Sequence, residues 1–486
     1  MKPETSNTGF FPLTPRIHPW IDQLTANSAI LVETLERYGS PLNIHCKRPF
    51  EENLKYFREV FQEYGMQHKI YFARKANKCL SFAKEACRLG EGVDTASYRE
   101  LQQCLDTGVP PNALISTAAV KNEQLLRLAL ANEVTVVLDN LDECSLLQSL
   151  ATAMEKQVHV CLRVGGFDDQ GKPLHTRFGW PITGAEQFIH TQLGPGNRFD
   201  RLRYYGLHFH LNGYSITQRV EAIKQCLSLV DRLKTQDIHT NSLDIGGGIL
   251  VNYLQSSTEW RSFHLALKDA VEGRRSPLTY LNDPLGMAVI EGKAYGEPTV
   301  YPYHNSLHKE HFLREILKHQ GTDGRPIAEG IRRRGLELRM EPGRSALDQC
   351  GITIARVAFR REDTRGELLV GLEMNHTQLK SSSADFLLDP IHVPKKSEEK
   401  DTPTFGFLVG SYCLEQELIL KRRVRFRTFP QVGDLLIFVN TAGYMMHFYE
   451  SEAHLFELAK NVFYDMDTNQ IHEDALYATA PGLQKA

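Results

Sequence analysis

The sequence predicts an α/β fold, a parallel (β/α)8 TIM-like barrel, followed by a C-terminal antiparallel β domain. Three observations predict it. Between about residues 69 and 344, short apolar runs bounded by Gly, Pro, Asn or Asp alternate with amphipathic ones, the pattern of parallel strands joined by helices. Eight such runs occur there, the number with which a barrel closes, whereas a doubly wound open sheet is the other fold this alternation allows. After residue 344 the runs follow one another without long helices between them, which is the texture of an antiparallel sheet.

The expected barrel strands are residues 69–75, 92–97, 113–118, 134–140, 158–165, 204–210, 242–248 and 336–344, all rich in Val, Ile, Leu and aromatic residues. Helices are expected between them. Val220, Ile223, Leu227, Val230 and Leu233 form an apolar stripe at helical spacing, and Leu125, Leu128, Ala129 and Asn132 follow the polar start 121–123. The interval from Gly248 to Glu341 is long for one crossover and carries an insertion at about 251–330, with an aromatic, His-rich piece at 295–312. In the β domain, residues 352–359, 368–372, 405–409, 418–427 and 434–440 read as strands, and the mixed charge run within 394–404 reads as a solvated loop.

The chain has 486 residues, enough for two to four domains, with 56 Lys+Arg against 59 Asp+Glu and a formal net charge of −3. That balance lacks the basic excess of a general nucleic-acid binder. No apolar run approaches the ~18 residues that span a bilayer, and residues 1–20 lack the apolar core of a signal peptide. Nine cysteines, with no CxxC pair, fit free thiols in a reducing compartment, so a cytoplasmic enzyme is expected.

Chemistry concentrates at the predicted strand ends. Lys75 closes the first strand; at the mouth of a dry barrel a lysine can be neutral and form a Schiff base. His208 and His210 share a face of the sixth strand, either as metal ligands or with an imidazole turned to a planar cofactor. A metal site needs further ligands. Asp94, Asp139 and Asp244 are available, but no later strand supplies a histidine, and His304 and His308 lack the Glu of HExxH, so no metal is expected. Gly246, Gly247 and Gly248 follow the seventh strand and can present backbone N–H groups to a phosphate. Glu341 and Arg344 end the eighth, where barrels commonly complete a phosphate site. A Schiff-base lysine, a ring-facing histidine, a phosphate cradle and a carboxylate for a pyridinium nitrogen are the groups that pyridoxal 5′-phosphate requires.

With these residues in place, the sequence resembles the fold-type III pyridoxal-phosphate decarboxylases, the diaminopimelate/ornithine/arginine decarboxylase family. The motifs at 71–77, 92–97, 206–210, 243–248, 341–344, 410–417 and 442–444 occur in the family's order, and Glu341-Pro342-Gly343-Arg344-Ser345 is closest to the diaminopimelate branch. The resemblance implies that Lys75 holds the cofactor as a Schiff base and that His210 stacks on its ring. It implies that Gly246, Gly247, Gly248, Arg344 and Tyr444 bind the phosphate and that Glu341 pairs with the pyridine nitrogen. It implies a homodimer with shared active sites, in which Cys413 reaches the partner's site as the acid that protonates the carbanion after CO2 leaves. The substrate is then a small molecule, an amino acid. A carboxylate at Glu341 keeps the pyridine nitrogen protonated, which suits decarboxylation better than the racemase or epimerase chemistry of the same fold. A partner-binding homologue without activity and a metal-dependent barrel hydrolase are the remaining alternatives.

The chain departs from the family in three places. The acidic residue that follows the family's active-site cysteine is Leu414 here, with Glu415 one place later; Glu415 is the candidate substrate residue. Asn212-Gly213 replaces the Gly-Ser after the stacking histidine. The insertion follows strand seven, at the catalytic end, and Tyr301, Tyr303 or His304 is expected to line or cover the substrate pocket. The resulting division is an N-terminal extension (1–28), a first β-domain strand within 29–50, the cofactor-binding barrel (51–344) and the β domain (345–486).

Overall fold

A computed structural model describes residues 9–381, 386–395 and 402–474. Eight strands, His68–Ala73, Gly92–Thr95, Leu114–Ser116, Thr135–Leu138, Val158–Gly165, Leu202–His208, Ser242–Asp244 and Glu337–Met340, pair in parallel in that order. The last pairs with the first, Leu338 opposite His68, and the sheet closes into a barrel. The open-sheet alternative is thereby excluded.

The strands sit where the apolar runs predict them, and most are shorter. The seventh stops at Asp244 because Gly246 (φ +65°) and Gly248 (φ +76°) turn the backbone into the left-handed region. The first ends at Ala73, and Lys75 stands in a 3-10 turn, Arg74–Ala76. The sixth ends at His208, leaving His210 on the following loop. Tyr71, Ile115, Val137 and Cys161 fill one level of the barrel interior, with Tyr205 packed against them. The predicted stripe is the buried face of helix Ile216–Lys234, which Ser215 caps by accepting the Gln218 N–H.

The chain forms two compact units. One is the barrel, Glu51–Leu250 with Leu307–Ala346 and Asp474. The other takes the chain up to Phe50, then Val251–Ser306 and Leu347–Glu473. The long insertion is therefore split, Val251–Ser306 folding with the β domain and the rest with the barrel.

The sheet of the second unit draws on both ends of the chain. Leu42–His45 pairs antiparallel with Gly351–Glu362 and parallel with Lys460–Asp465. A second parallel pairing joins Leu368–Leu372 to Thr404–Val409, so the sheet is mixed where the sequence predicts antiparallel pairing alone. Strands Ile391–Val393, Lys460–Asp465 and Gln470–Glu473 were not expected; two are short, and all lack a long alternating pattern. Residues 396–401 of the predicted charged loop lie outside the described residues. Among the described residues no helix is long and apolar enough to cross a membrane.

Candidate active site

The barrel brings Lys75, Asp94, His208, His210 and Glu341 together at the C-terminal ends of its strands. The turn that carries Lys75 is pinned from both sides. Ala73 N–H donates to Pro342 O (3.2 Å), and buried Arg74 donates to Glu100 O (2.6 Å), Lys78 O (3.2 Å) and Gln103 Oε1 (2.5 Å). Lys75 Nζ stands 3.0 Å from Asp94 Oδ2 and 4.0 Å from Glu341 Oε2. Asp94 is fully buried and also accepts the Thr117 hydroxyl (2.5 Å). Burial pushes its carboxyl above the usual range, and Lys75 works against that rise.

Glu341 and His208 form a buried pair, Oε1 to Nε2 3.0 Å. Burial alone raises the pKa of a carboxyl group, yet His208, His210 and Lys75 together hold Glu341 well below the carboxylate range. His210, whose side chain is 30% exposed, places Nδ1 3.9 Å from Glu341 Oε2. That nitrogen also accepts the Gly247 N–H (3.3 Å). Burial pushes the imidazole down to about 4, so it is neutral near pH 7 and can lie against a protonated ring without like-charge repulsion. Asp244 is pushed up to about 7 by burial and by Glu341, and its Oδ1 accepts the Gly246 N–H (2.8 Å). His208, Asp244 and Glu341 are close enough to share a cation, but His208 Nε2 and Asp244 Oδ1 are already hydrogen-bonded.

The glycine turn has no room for side chains. A Cβ on Gly246 would stand 2.7 Å from Phe209 O, one on Gly247 2.6 Å from Glu341 O, and one on Gly248 2.2 Å from Arg219 Nη2. Arg219, on the Ile216–Lys234 helix, is buried and donates to Gly247 O (2.8 Å) and Gly213 O (3.2 Å). It fixes the turn from behind, with its guanidinium pushed down to about 10 by burial. An amine, a neutral imidazole, a buried carboxylate and a bare backbone turn thus share one barrel mouth. That donor set fits the aldehyde, ring face, ring nitrogen and phosphate of pyridoxal 5′-phosphate.

Arg344 lies in the barrel unit, half-buried, just after the eighth strand. Cys413, Glu415, Tyr303 and Tyr444 belong to the other unit. Tyr444 is half-buried with φ +73°, an uncommon conformation for a non-glycine residue. Cys413, Leu414 and Glu415 are exposed on one loop. Glu417, buried, fixes that loop: its Oε1 accepts the His376 N–H (2.9 Å), its Oε2 pairs with the His376 ring, and its carbonyl accepts Gly410 N–H (3.3 Å).

Tyr303 is not a pocket residue. It is fully buried among Tyr253, Tyr301, Trp260 and Phe386, and its hydroxyl accepts the Leu387 N–H (3.2 Å). Tyr301 is 4% exposed and accepts the Val251 N–H (3.0 Å), so both tyrosines hold the insertion together. His304 is the half-exposed neighbour. Sequence reasoning missed Arg219, Thr117 and Glu417, and weighed Asp94 only as a metal ligand. Arg219 interrupts an apolar helix face beside the glycine turn, a signal that fold knowledge is needed to use.

Comparison with known proteins agrees with this geometry. Residues 48–277 match the family model for the pyridoxal-dependent decarboxylase, pyridoxal binding domain. The chain is 30% identical over 437 residues to the uncharacterized protein y4yA of Sinorhizobium fredii, covering 89% of each. It is 29% identical over 272 residues to a diaminopimelate decarboxylase of Pseudomonas aeruginosa, covering 53% of this chain and 63% of the relative. Its fold is similar to that of M. jannaschii diaminopimelate decarboxylase in co-complex with L-lysine (TM-score 0.66, 15% identity, 94% of each chain covered). It is also similar to a Vibrio vulnificus lysine/ornithine decarboxylase complexed with putrescine (TM-score 0.64, 18% identity, 90% of this chain and 98% of that one). With matching motifs, matching barrel and a mouth built for the cofactor, the chain belongs to the fold-type III pyridoxal-phosphate-dependent decarboxylases.

Proposed function

We propose that the protein removes the α-carboxylate of an amino acid as CO2, in the manner of the diaminopimelate decarboxylases, and works as a soluble cytoplasmic homodimer with shared active sites. The observation that carries this reading is the position of Lys75 Nζ, 3.0 Å from Asp94 and 4.0 Å from a Glu341 carboxylate held ionised in the barrel. Bound pyridoxal 5′-phosphate supplies an electron sink for the pair of electrons left on Cα when CO2 departs.

The chain's own residues do the rest. Lys75 would hold the cofactor aldehyde through Nζ, at the point where the substrate amine takes its place. Glu341, held ionised by His208 and Lys75, keeps the proton on the ring nitrogen, so the sink stays at full strength. His210 covers one ring face as a neutral imidazole. The backbone N–H groups of Gly246, Gly247 and Gly248 receive the phosphate, which Arg344 and Tyr444 complete. Cys413, supplied by the partner subunit, returns a proton to Cα from Sγ, and Glu415 on the same loop faces the substrate. An ionised carboxylate at Glu341 is the feature that favours decarboxylation over racemisation.

The test is the visible absorbance of the purified protein, followed by CO2 release across a panel of amino acids. A yellow wild type beside a colourless Lys75→Ala, with CO2 from at least one amino acid, is expected. An equally yellow, borohydride-reducible Lys75→Ala removes Lys75 from its role, and racemised substrate without CO2 removes the decarboxylase reading.

A further inference from the structure

The helix Leu80–Arg88 lies between the strand His68–Ala73, which leads into Lys75, and the strand Gly92–Thr95, which carries Asp94. Its first turn presents backbone N–H groups that the helix itself cannot satisfy, and here they are buried. Cys79 stands at the cap position, and among the described residues its side chain accepts none of them. A carboxylate from a distant stretch of chain takes that place. Asp474 Oδ2 accepts the Leu80 N–H (3.0 Å) and Oδ1 the Ser81 N–H (2.9 Å), across 394 and 393 residues. Asp474 is buried and belongs to the barrel unit. Both of its oxygens face the positive end of the helix, where a carboxylate is held most firmly.

Between the Lys75 turn and this helix the chain has no slack. Asn77 N–H donates to Arg74 O (2.9 Å) and closes the turn. Arg74 Nη2 donates to Lys78 O (3.2 Å). The Asn77 side chain, fully buried, accepts the Cys79 N–H through Oδ1 (3.0 Å). A continuous run of hydrogen bonds therefore leads from Asp474, through residues 77–81, to the turn that holds Lys75. At the other end of that run Lys75 Nζ stands 3.0 Å from Asp94 Oδ2. A reacting group displaced by about 1 Å can lose on the order of 100-fold in rate, so the start of this helix matters to the amine. A cap from the helix's own loop would steady the helix but move with it. Asp474 instead ties the helix start to a point that does not.

We infer that Asp474 is a positioning residue for Lys75: its carboxylate anchors the start of the helix Leu80–Arg88 and so sets where the amine stands against Asp94. The inference rests on the reading of Lys75 as the lysine that holds the cofactor. It adds to that reading a residue far away in sequence, on which the placement of the amine depends.

The experiment compares the full-length holoenzyme with Asp474→Ala, Asp474→Asn and a control, Asn122→Ala. Asn122 caps another barrel helix, Glu123–Ala131, by accepting the Leu125 N–H (3.0 Å), so its loss lowers stability away from the Lys75 turn. Two readouts are taken where circular dichroism shows each protein folded and absorbance shows it loaded. One is kcat and KM for CO2 release. The other is the midpoint, against pH, of the visible-absorbance change of the bound cofactor, which reports the surroundings of the Lys75 amine. In Asp474→Ala, kcat is expected to fall about 10-fold with KM within about 2-fold, and the midpoint to move by at least about 0.5 pH. Asp474→Asn, which keeps one acceptor, is expected to lie between that variant and the wild type, and it decides alone if Asp474→Ala does not fold. Asn122→Ala is expected to match the wild type in both readouts. A lower melting temperature with kcat and midpoint unchanged makes Asp474 a helix cap only and overturns the inference. So does an Asn122→Ala that lowers kcat as much, and so does failure of both Asp474 variants to fold or load. If no amino acid releases CO2, the midpoint still decides the role of Asp474, and that failure counts against the decarboxylase reading alone.

Discussion

Lys75 Nζ and Asp94 Oδ2 stand 3.0 Å apart, the lysine at the mouth of the barrel and the aspartate buried beneath it. The aspartate is itself held by the Thr117 hydroxyl at 2.5 Å, so it positions the amine from a fixed point on the second strand. Asp94→Asn keeps the shape and removes the charge. The expected result is a loss of about 10- to 100-fold in kcat/KM for CO2 release, the scale of one charge-assisted hydrogen bond, with the cofactor still bound. Thr117→Val is expected to cost only a few-fold. Wild-type turnover in Asp94→Asn would show that the pair has no part in positioning the amine.

His210 sets a pH dependence of stability. Burial holds its pKa at about 4 in the folded protein, against about 6.5 for the unfolded chain. Between those values the unfolded chain binds the extra proton, so stability is full above pH 6.5 and falls as the pH drops toward 4. The loss is about 2 kcal/mol once the 30% exposure of the side chain is allowed for. Urea unfolding at pH 7 and pH 4.5 should show a larger loss in the wild type than in His210→Asn by about that amount. Equal losses would place the titration elsewhere.

Gly247 has a carbonyl, not a flexible side chain, where a methyl group would go. A Cβ would stand 2.6 Å from Glu341 O, so Gly247→Ala must move either the glycine turn or the eighth-strand end. Cofactor affinity is expected to fall by at least about 10-fold, with secondary structure unchanged. Fluorescence titration of the cofactor-free protein measures it, and wild-type affinity would exclude the turn as the phosphate cradle.

The barrel was legible because parallel strands buried on both faces leave uninterrupted apolar runs such as 158–165, which is also the observed strand Val158–Gly165. Lys75, His210 and Glu341 were legible because barrel chemistry stands at strand ends. Arg219 was not, since an arginine on a helix becomes a clamp only when the glycine turn is folded against it. Tyr303 was misread for a related reason. Aromatic and histidine residues in an insertion look alike whether they face a pocket or a core, and only the packing of Tyr253, Trp260 and Phe386 around the ring distinguishes them. The parallel pairing of Leu42–His45 with Lys460–Asp465 joins opposite ends of the chain, a relation no local pattern carries.

Tyr303 consequently has a stability role. Its hydroxyl is the acceptor for the buried Leu387 N–H at 3.2 Å. Tyr303→Phe keeps the ring contacts and leaves that donor unmet, at about 1–2 kcal/mol. The midpoint of urea unfolding should fall accordingly, with kcat and KM unchanged. A raised KM at unchanged stability would return Tyr303 to the substrate pocket.

Cys413 and Lys75 provide a test of the shared active site. Cys413 is exposed on its loop, and Glu417 holds the loop in place. If Cys413 serves the partner's barrel, Lys75→Ala and Cys413→Ala are each nearly inactive, yet a mixed dimer has one site with both defects and one with neither. Random exchange of equal amounts makes half the dimers mixed, so about one quarter of wild-type activity should return on mixing. Were both residues contributed by one subunit, every site in every dimer would carry a defect. Activity staying at the level of the single variants, with exchange confirmed by mass spectrometry of tagged subunits, would therefore rule out sharing.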